Sequence, residues 1–210
     1  MRKEPLVTDE YYHIYNRGVD KREIFNDLKD LARFKESVKE FNRIEGIGSL
    51  EMYRKSVRAL DSHLKSKPKP LVALVAFCIN PNHFHFILKQ LVDGGIAKFL
   101  QKLQGGYTYY FNKKNQRSGS LFQGTFKSKL ITDENYFRKT FAYVNKNYSI
   151  HDISKNKMAF VFASDKEYES GLFDFVSKVD GQEMLKTFSS KSDLQKHFKE
   201  IISLIREERG

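Results

Sequence analysis

Two histidines, His83 and His85, stand on alternate positions of the stretch PNHFHFIL, which otherwise has the composition of a buried strand. Because the side chains of a strand alternate between its two faces, both imidazoles project from one face, and Phe84 and Phe86 project from the other. Two imidazoles placed in this way can chelate a divalent metal ion. Spacing alone favours the alternative, two half-exposed histidines beside a turn, since His-x-His is a common pattern.

A tyrosine and an amide share one side of a later helix, which the sequence predicts over residues 133–147. The apolar stripe of this helix consists of Phe137, Phe141, Val144 and Tyr148. A second stripe, about 100° further round the helix, consists of Tyr136, Thr140, Tyr143 and Asn147. The core therefore does not require Tyr143, and Asn147 follows it one turn later. A phenol is a nucleophile and an amide oxygen is a metal ligand, so the histidine pair gains the remaining parts of a site that cleaves a nucleic-acid strand.

The elements that must position these groups alternate between strands and helices. Hydrophobic periodicity predicts strands at 11–19, 71–79, 83–90 and 125–131, and helices at 26–43, 50–66, 95–113 and 133–147. Without the helix at 50–66, the order is strand, helix, hairpin, helix, strand, helix. This order predicts an α+β fold of the ferredoxin-like kind, with one antiparallel sheet and helices on one face.

The sequence suggests two parts. We expect residues 1–150 to form the domain that carries the site, with 44–70 as an inserted helical segment, and residues 151–210 to form a helical C-terminal extension. The first part holds 27 Lys and Arg against 15 Asp and Glu, and the second holds 10 against 11. The whole net charge of +11 thus comes from the part with the histidines. Such an excess indicates a polyanionic partner, most simply nucleic acid, and the alternative is a solvated basic surface with no partner.

Other classes are disfavoured by the sequence. The longest uncharged apolar run, from Leu71 to Ile79, is far shorter than the roughly 18 residues of a membrane-spanning helix. The first residues, MRKEPLVTDEYY, have no apolar signal core, and Cys78 is the single cysteine, which excludes an intramolecular disulfide framework. We therefore expect a cytoplasmic protein with no membrane partner.

Three segments together resemble the single-tyrosine HUH transposases, and among them the REP-associated tyrosine transposases of bacteria. They are YHIYNRGVDKREIF, PNHFHFIL and YYFNKKNQRSGSLFQGTFKSKLITDENYFRKTFAYVNKN. The order in that family is His-hydrophobic-His, then R-x-G-x-L-[WF]-x-G-x-[FY], then a helix with the nucleophilic tyrosine. The resemblance covers residues from about 10 to 150 and implies that residues 1–150 are a HUH single-tyrosine transposase domain.

The resemblance implies roles for four residues. His83 and His85 match the metal-binding pair, Tyr143 matches the nucleophile, and Asn147 matches the position of a third metal ligand. It implies Mg²⁺ or Mn²⁺ as the cofactor, although two imidazoles on ligand type alone favour Mn²⁺. The reaction would cut DNA through a covalent 5′-phosphotyrosine and leave a free 3′-OH. The chain departs from the family at Tyr148, where a proline is usual. Three other tyrosines, Tyr107, Tyr109 and Tyr110, are rival candidates for the nucleophile.

The resemblance also implies a partner, a DNA hairpin with a flanking single-stranded segment. We expect some of the basic and aromatic residues near the predicted site to bind it; the candidates are Arg17, Lys102, Tyr109, Lys113, Lys114, Arg117, Lys127 and Lys129. The sequence leaves open whether the chain acts as a monomer or a homodimer. Two alternatives to a nuclease remain: a nucleic-acid-binding module that no longer cuts, and a basic ferredoxin-like protein with an RNA partner or a structural role.

Overall fold

A computed structural model describes residues 5–59, 68–151 and 153–208 of the chain. Five strands form one antiparallel sheet in the order β4-β1-β3-β2-β5. They are β1 (Tyr11–Arg17), β2 (Val72–Ile79), β3 (His83–Gln90), β4 (Lys127–Leu130) and β5 (Phe162–Ala163). The first four have the strand order of a ferredoxin-like fold, which confirms the α+β prediction. Within the described residues, no helix combines the length and the apolarity that crossing a bilayer requires.

Eight helices accompany the sheet in the described part of the chain. They are α1 (Leu28–Phe41), α2 (Leu50–Ala59), α3 (Gly95–Lys114), α4 (Glu134–Asn145), α5 (Asn147–Ile150), α6 (Asp165–Ser170), α7 (Lys178–Lys186) and α8 (Lys191–Glu207). The side chains of Asp27 and Asp133 cap α1 and α4 by accepting backbone N–H groups of the first turn. Most predicted elements are present with ends shifted by no more than two residues. The predicted helix at 133–147 instead ends at Asn145 and resumes as α5.

One face of the sheet is covered by α1 and α3, as predicted. Phe84 and Phe86 of β3 are fully buried there, and Phe34 of α1 packs edge-on against Tyr107 of α3 with ring centroids 5.0 Å apart. Burial of each such aromatic ring contributes about 1.5–3 kcal/mol. A Cβ on Gly106 would lie 2.9 Å from the ring of Phe41, so the glycine allows α1 and α3 to approach closely.

The opposite face carries a helix too, which corrects the expectation of helices on one face only. There α4 packs against β2 and β3, and α8 packs against α4. The reason is visible in β2, whose eight residues are all buried. A strand with two buried faces needs cover on both sides. The helix with Tyr143 therefore lies on the same face as His85.

The two added segments pack on this framework. In the inserted segment, α2 is joined to α1 by the pairing of Arg54 with Glu36, and residues 60–66 of the predicted helix at 50–66 lie outside the described part of the chain. The C-terminal segment is largely helical, as expected. It also adds β5 to the sheet, where Ala163 pairs with Cys78 of β2.

Candidate active site

The pairing of the strands gathers polar side chains on the face of the sheet that α4 covers. Tyr15 and Arg17 of β1 lie directly opposite His85 and His83 of β3. On the other side of β1, Lys127 lies opposite Tyr15, and Lys129 lies opposite His13. Directly opposite residues of an antiparallel pair share a face. The sheet thus combines imidazoles, a phenol and three cations on one surface.

Tyr143 of α4 lies over this surface. Its ring is edge-on to His85, with centroids 5.4 Å apart, and edge-on to His13, with centroids 5.7 Å apart. Tyr15 stacks on His85 with ring centroids 5.4 Å apart and is 38% exposed. Tyr143 belongs to the second stripe of this helix, which the apolar core does not require. This second stripe is the one that faces the histidines.

His83 is held in place by three asparagines. Asn82 Oδ1 lies 2.6 Å from its Nδ1, and Asn147 Oδ1 and Asn80 Nδ2 each lie 2.9 Å from its Nε2. Asn80 Nδ2 also donates to Asn147 Oδ1 over 2.8 Å, and both of these residues are fully buried. Burial lowers the pKa of His83 to about 4, with the charges of His151 and Arg17 acting in the same direction and the contact with Asn147 opposing it. The ring is therefore neutral at pH 7, the form in which imidazole binds metal.

A cavity of about 720 Å³ opens between β1, β3 and α4. Its walls include both predicted histidines and Tyr143, together with Tyr15, Arg17, Lys21, Lys127 and His151. His83, His85 and His151 each offer a ring nitrogen within 4.8 Å of the others. Three imidazoles are a donor set for a divalent transition metal, so the residues present fit Mn²⁺, one of the two ions that the family resemblance implies.

The predicted DNA-binding residues fall into two groups. Arg17 and Lys127 line the cavity, and Lys129 lines a second hollow on the other side of Tyr143. The remaining five lie on α3 or just after it, and α3 covers the opposite face of the sheet. Of these, Lys114 pairs with Asp27 and Asp30, Arg117 donates to Ser120 O, and Lys102 donates to Arg43 O, whereas Lys113 and Tyr109 are exposed.

The rival tyrosines are distant from the histidine face. Tyr107 is fully buried, and its hydroxyl donates to Ile24 O over 2.6 Å. Tyr110 donates to the buried carboxylate of Asp30, and Tyr109 is 69% exposed on α3. Tyr15 is the rival that sequence reasoning missed. The alternation of His13, Tyr15 and Arg17 along β1 is the signal that identifies it.

His13 and His151 were not predicted as parts of the site. His13 is 8% exposed, and its Nε2 lies 2.8 Å from His85 Nδ1. The position of His13 on the same face of β1 as Tyr15 is a signal for it. His151 follows α5, and its ring centroid lies 4.9 Å from that of His83. It lies beyond the predicted helix, so no sequence pattern pointed to it.

Comparison with known proteins supports the resemblance seen in the sequence. Residues 54–147 match the model of the family described as IS200-like transposases. The fold is similar to a solved structure of a REP-associated tyrosine transposase bound to a REP hairpin, with a TM-score of 0.53 and 12% identity. That match covers 84% of this chain and 90% of the other chain. No curated protein matches the chain. The segment that matches the IS200-like transposase family contains both histidines, Tyr143 and Asn147.

Proposed function

We propose that this protein cuts and rejoins single-stranded DNA beside hairpins, with Tyr143 as the nucleophile and a divalent metal held by His83 and His85. The observation that carries the proposal is the position of Tyr143, which lines the same cavity as both histidines with its ring 5.4 Å from that of His85. The match of residues 54–147 to the IS200-like transposase family supports a DNA-processing role.

The chain's own groups suit a transesterification. Tyr143 Oη attacks the scissile phosphorus, the bond from phosphorus to the 3′ oxygen breaks, and the phenolic proton passes to solvent while the released 3′ oxygen takes up a proton. The products are a 5′-phosphotyrosine and a free 3′-OH, so the bond energy is kept for rejoining. A bound divalent ion supplies Lewis-acid stabilisation of the charge on the phosphate. Both steps use one chain, since Tyr143 and the histidines of the same chain meet, and we propose that a monomer suffices.

The cavity also suits a DNA strand. Arg17, Lys21 and Lys127 line it and are exposed, so they can pair with backbone phosphates. Tyr15, whose ring is parallel to His85 within 15°, offers a face on which a base stacks. The similar solved structure is bound to a REP hairpin, and we propose a hairpin for this chain as well.

An adduct assay tests the proposal. The protein is mixed with labelled hairpin DNA from beside its own gene, with Mn²⁺, with Mg²⁺ or with EDTA, and separated on a denaturing gel. We expect a metal-dependent covalent band that Tyr143→Phe abolishes.

Tyr15→Phe is the matched control, because this tyrosine lines the same cavity, and it should keep the band. A band lost in Tyr15→Phe and kept in Tyr143→Phe would move the nucleophile to Tyr15. Binding without any band would favour a non-cutting module.

A further inference from the structure

Two residues compete for the third metal position, and they stand at the two ends of α5. Asn147 begins this single turn, and His151 follows its last residue, Ile150. Because they are four residues apart on a helical turn, both side chains project towards the same neighbour, which is His83. Their surroundings differ, and this difference separates their roles.

Asn147 is built into the wall behind His83. Its side chain is fully buried and is absent from the cavity lining. Its Oδ1 accepts the hydrogen bond of Asn80 Nδ2 over 2.8 Å. The other acceptor of Asn80 Nδ2 is His83 Nε2. If Asn147 Oδ1 and His83 Nε2 both bound a metal, the fully buried amide of Asn80 would lose both acceptors. An unsatisfied buried donor costs about 1–3 kcal/mol.

His151 faces the cavity instead. Its side chain is exposed, lines the cavity with Tyr143, and offers a ring nitrogen within 4.8 Å of those of His83 and His85. Two nitrogens on one ion lie at most about 4 Å apart, given metal–nitrogen bonds of about 2.0–2.1 Å. The separation of up to 4.8 Å is close to this limit, and ligation by His151 leaves the bond between Asn80 and Asn147 intact.

We propose that His151 is the third protein ligand, so that the metal centre consists of His83, His85 and His151, and that Asn147 is a positioning residue that holds the amide of Asn80 behind His83. This inference rests on the proposed function for the presence of a metal. It departs from the assignment of Asn147 as a ligand that the sequence resemblance implies.

The C-terminal segment contacts α5, the turn that His151 follows. Asp165 accepts hydrogen bonds from Lys146 Nζ over 2.6 Å and from Tyr148 Oη over 2.8 Å, at the break between α4 and α5. Arg206 of α8 donates to Ser149 O over 2.8 Å. These contacts fix α5 from both sides. Residues after 152 thus hold α5 in its direction relative to α4, the helix that carries Tyr143.

An all-imidazole centre has a consequence for metal choice. The cluster that the described residues form contains three histidines and no carboxylate. Mg²⁺ prefers oxygen ligands and keeps its waters, whereas Mn²⁺, Co²⁺ and Zn²⁺ accept imidazole nitrogen. We therefore expect Zn²⁺ and Co²⁺ to bind more tightly than Mn²⁺, and Mg²⁺ to bind weakest.

The test follows the histidine ring nitrogens directly. Full-length ¹⁵N-labelled Tyr143→Phe protein is titrated with Zn²⁺ in the absence of DNA, and long-range ¹H–¹⁵N spectra report the imidazoles. The Tyr143 substitution removes the chemistry, so the result does not depend on cleavage. We expect large shifts of one ring nitrogen each in His83, His85 and His151, and none in His197, which lies on α8 and contacts Arg138 O. Mg²⁺ at the same concentration should shift none of them.

Variants provide the second measurement. His151→Ala should weaken Zn²⁺ binding by calorimetry at least about tenfold, and His197→Ala, the matched removal of an imidazole elsewhere, should leave it unchanged. In Asn147→Ala the three ring nitrogens should still shift. Shifts confined to His83 and His85, with His151 unmoved at saturation, would overturn the three-histidine centre while keeping a metal site. A covalent adduct without any imidazole shift would overturn the metal centre and leave Tyr143 as the nucleophile.

Discussion

The Nε2 of His13 lies 2.8 Å from the Nδ1 of His85, between adjacent strands of the sheet. Burial lowers the pKa of His13 to about 4, and the charge of Lys129 acts in the same direction, so the ring is neutral at pH 7. One imidazole of the pair donates and the other accepts. Under the proposed function, His85 Nδ1 donates to His13 Nε2 in this bond, because that tautomer puts the lone pair that a metal requires on His85 Nε2. His13 thus sets the orientation and the tautomer of a predicted ligand.

His13→Phe should weaken Mn²⁺ binding about tenfold, because it keeps a ring in the sheet but removes the hydrogen bond to His85. His13→Gln retains a polar group at the same position and should bind Mn²⁺ more tightly than His13→Phe. Isothermal titration calorimetry without DNA measures both. Equal affinities for wild type and His13→Phe would show that the contact has no effect on the ligand.

The stability of the metal-free protein should fall as the pH is lowered from 7.5 to 5. Burial holds the pKa of both His13 and His83 at about 4, whereas an unfolded histidine titrates near 6.5. Between these values the unfolded chain binds protons that the folded chain does not, so falling pH favours unfolding until about pH 4. At pH 5, each histidine lowers the free energy of unfolding by on the order of 1–2 kcal/mol relative to neutral pH. Urea denaturation in EDTA measures the effect, and His13→Gln should reduce it. An identical pH dependence in that variant would contradict the assignment to His13.

Arg17→Ala and Lys127→Ala should each weaken hairpin binding on any sequence, because these side chains line the cavity and can contact phosphates. Each should lower the slope of log K against log salt by about 0.7, as expected for one phosphate contact on a single strand. Lys113→Ala is the matched control. This exposed lysine lies on α3, on the other side of the sheet, and its removal should leave the slope unchanged. Fluorescence anisotropy over a salt series distinguishes the two faces, and a reduced slope in Lys113→Ala alone would place the DNA on α3.

Asp165→Ala should destabilise the fold by about 2–4 kcal/mol. The carboxylate is 5% exposed and pairs with Lys146, which is 13% exposed, so its loss leaves a largely buried cation without its closest partner. Tyr148→Phe removes only the hydroxyl that donates to the same carboxylate and should cost about 1 kcal/mol. Thermal and urea unfolding measure both. Equal losses in the two variants would show that the ion pair adds nothing.

The elements of the fold were largely readable from local patterns. Alternation along β3 separated His83 and His85 from Phe84 and Phe86, and the order of strands and helices predicted the ferredoxin-like sheet. The continuous apolar run of β2 already contained the signal for cover on both faces. The run predicts a strand, but it does not predict that α4 covers the second face of that strand. The sequence alone shows how much apolar surface a strand must bury. Which helix covers each face of that strand depends on contacts between segments that are distant in the sequence.

The sequence by itself determined the chemistry of the site: two imidazoles on one face of a strand, and a tyrosine on a helical stripe that the core does not use. Only the tertiary structure decided which other groups join them. Strand pairing brings His13 and Tyr15 to His85, and the break at Lys146 turns His151 towards His83. It also places α3, with four of the predicted DNA contacts, on the far side of the sheet. Local periodicity determines which face of a helix or strand a side chain occupies. Which other element packs against that face is determined by contacts between residues far apart in the sequence.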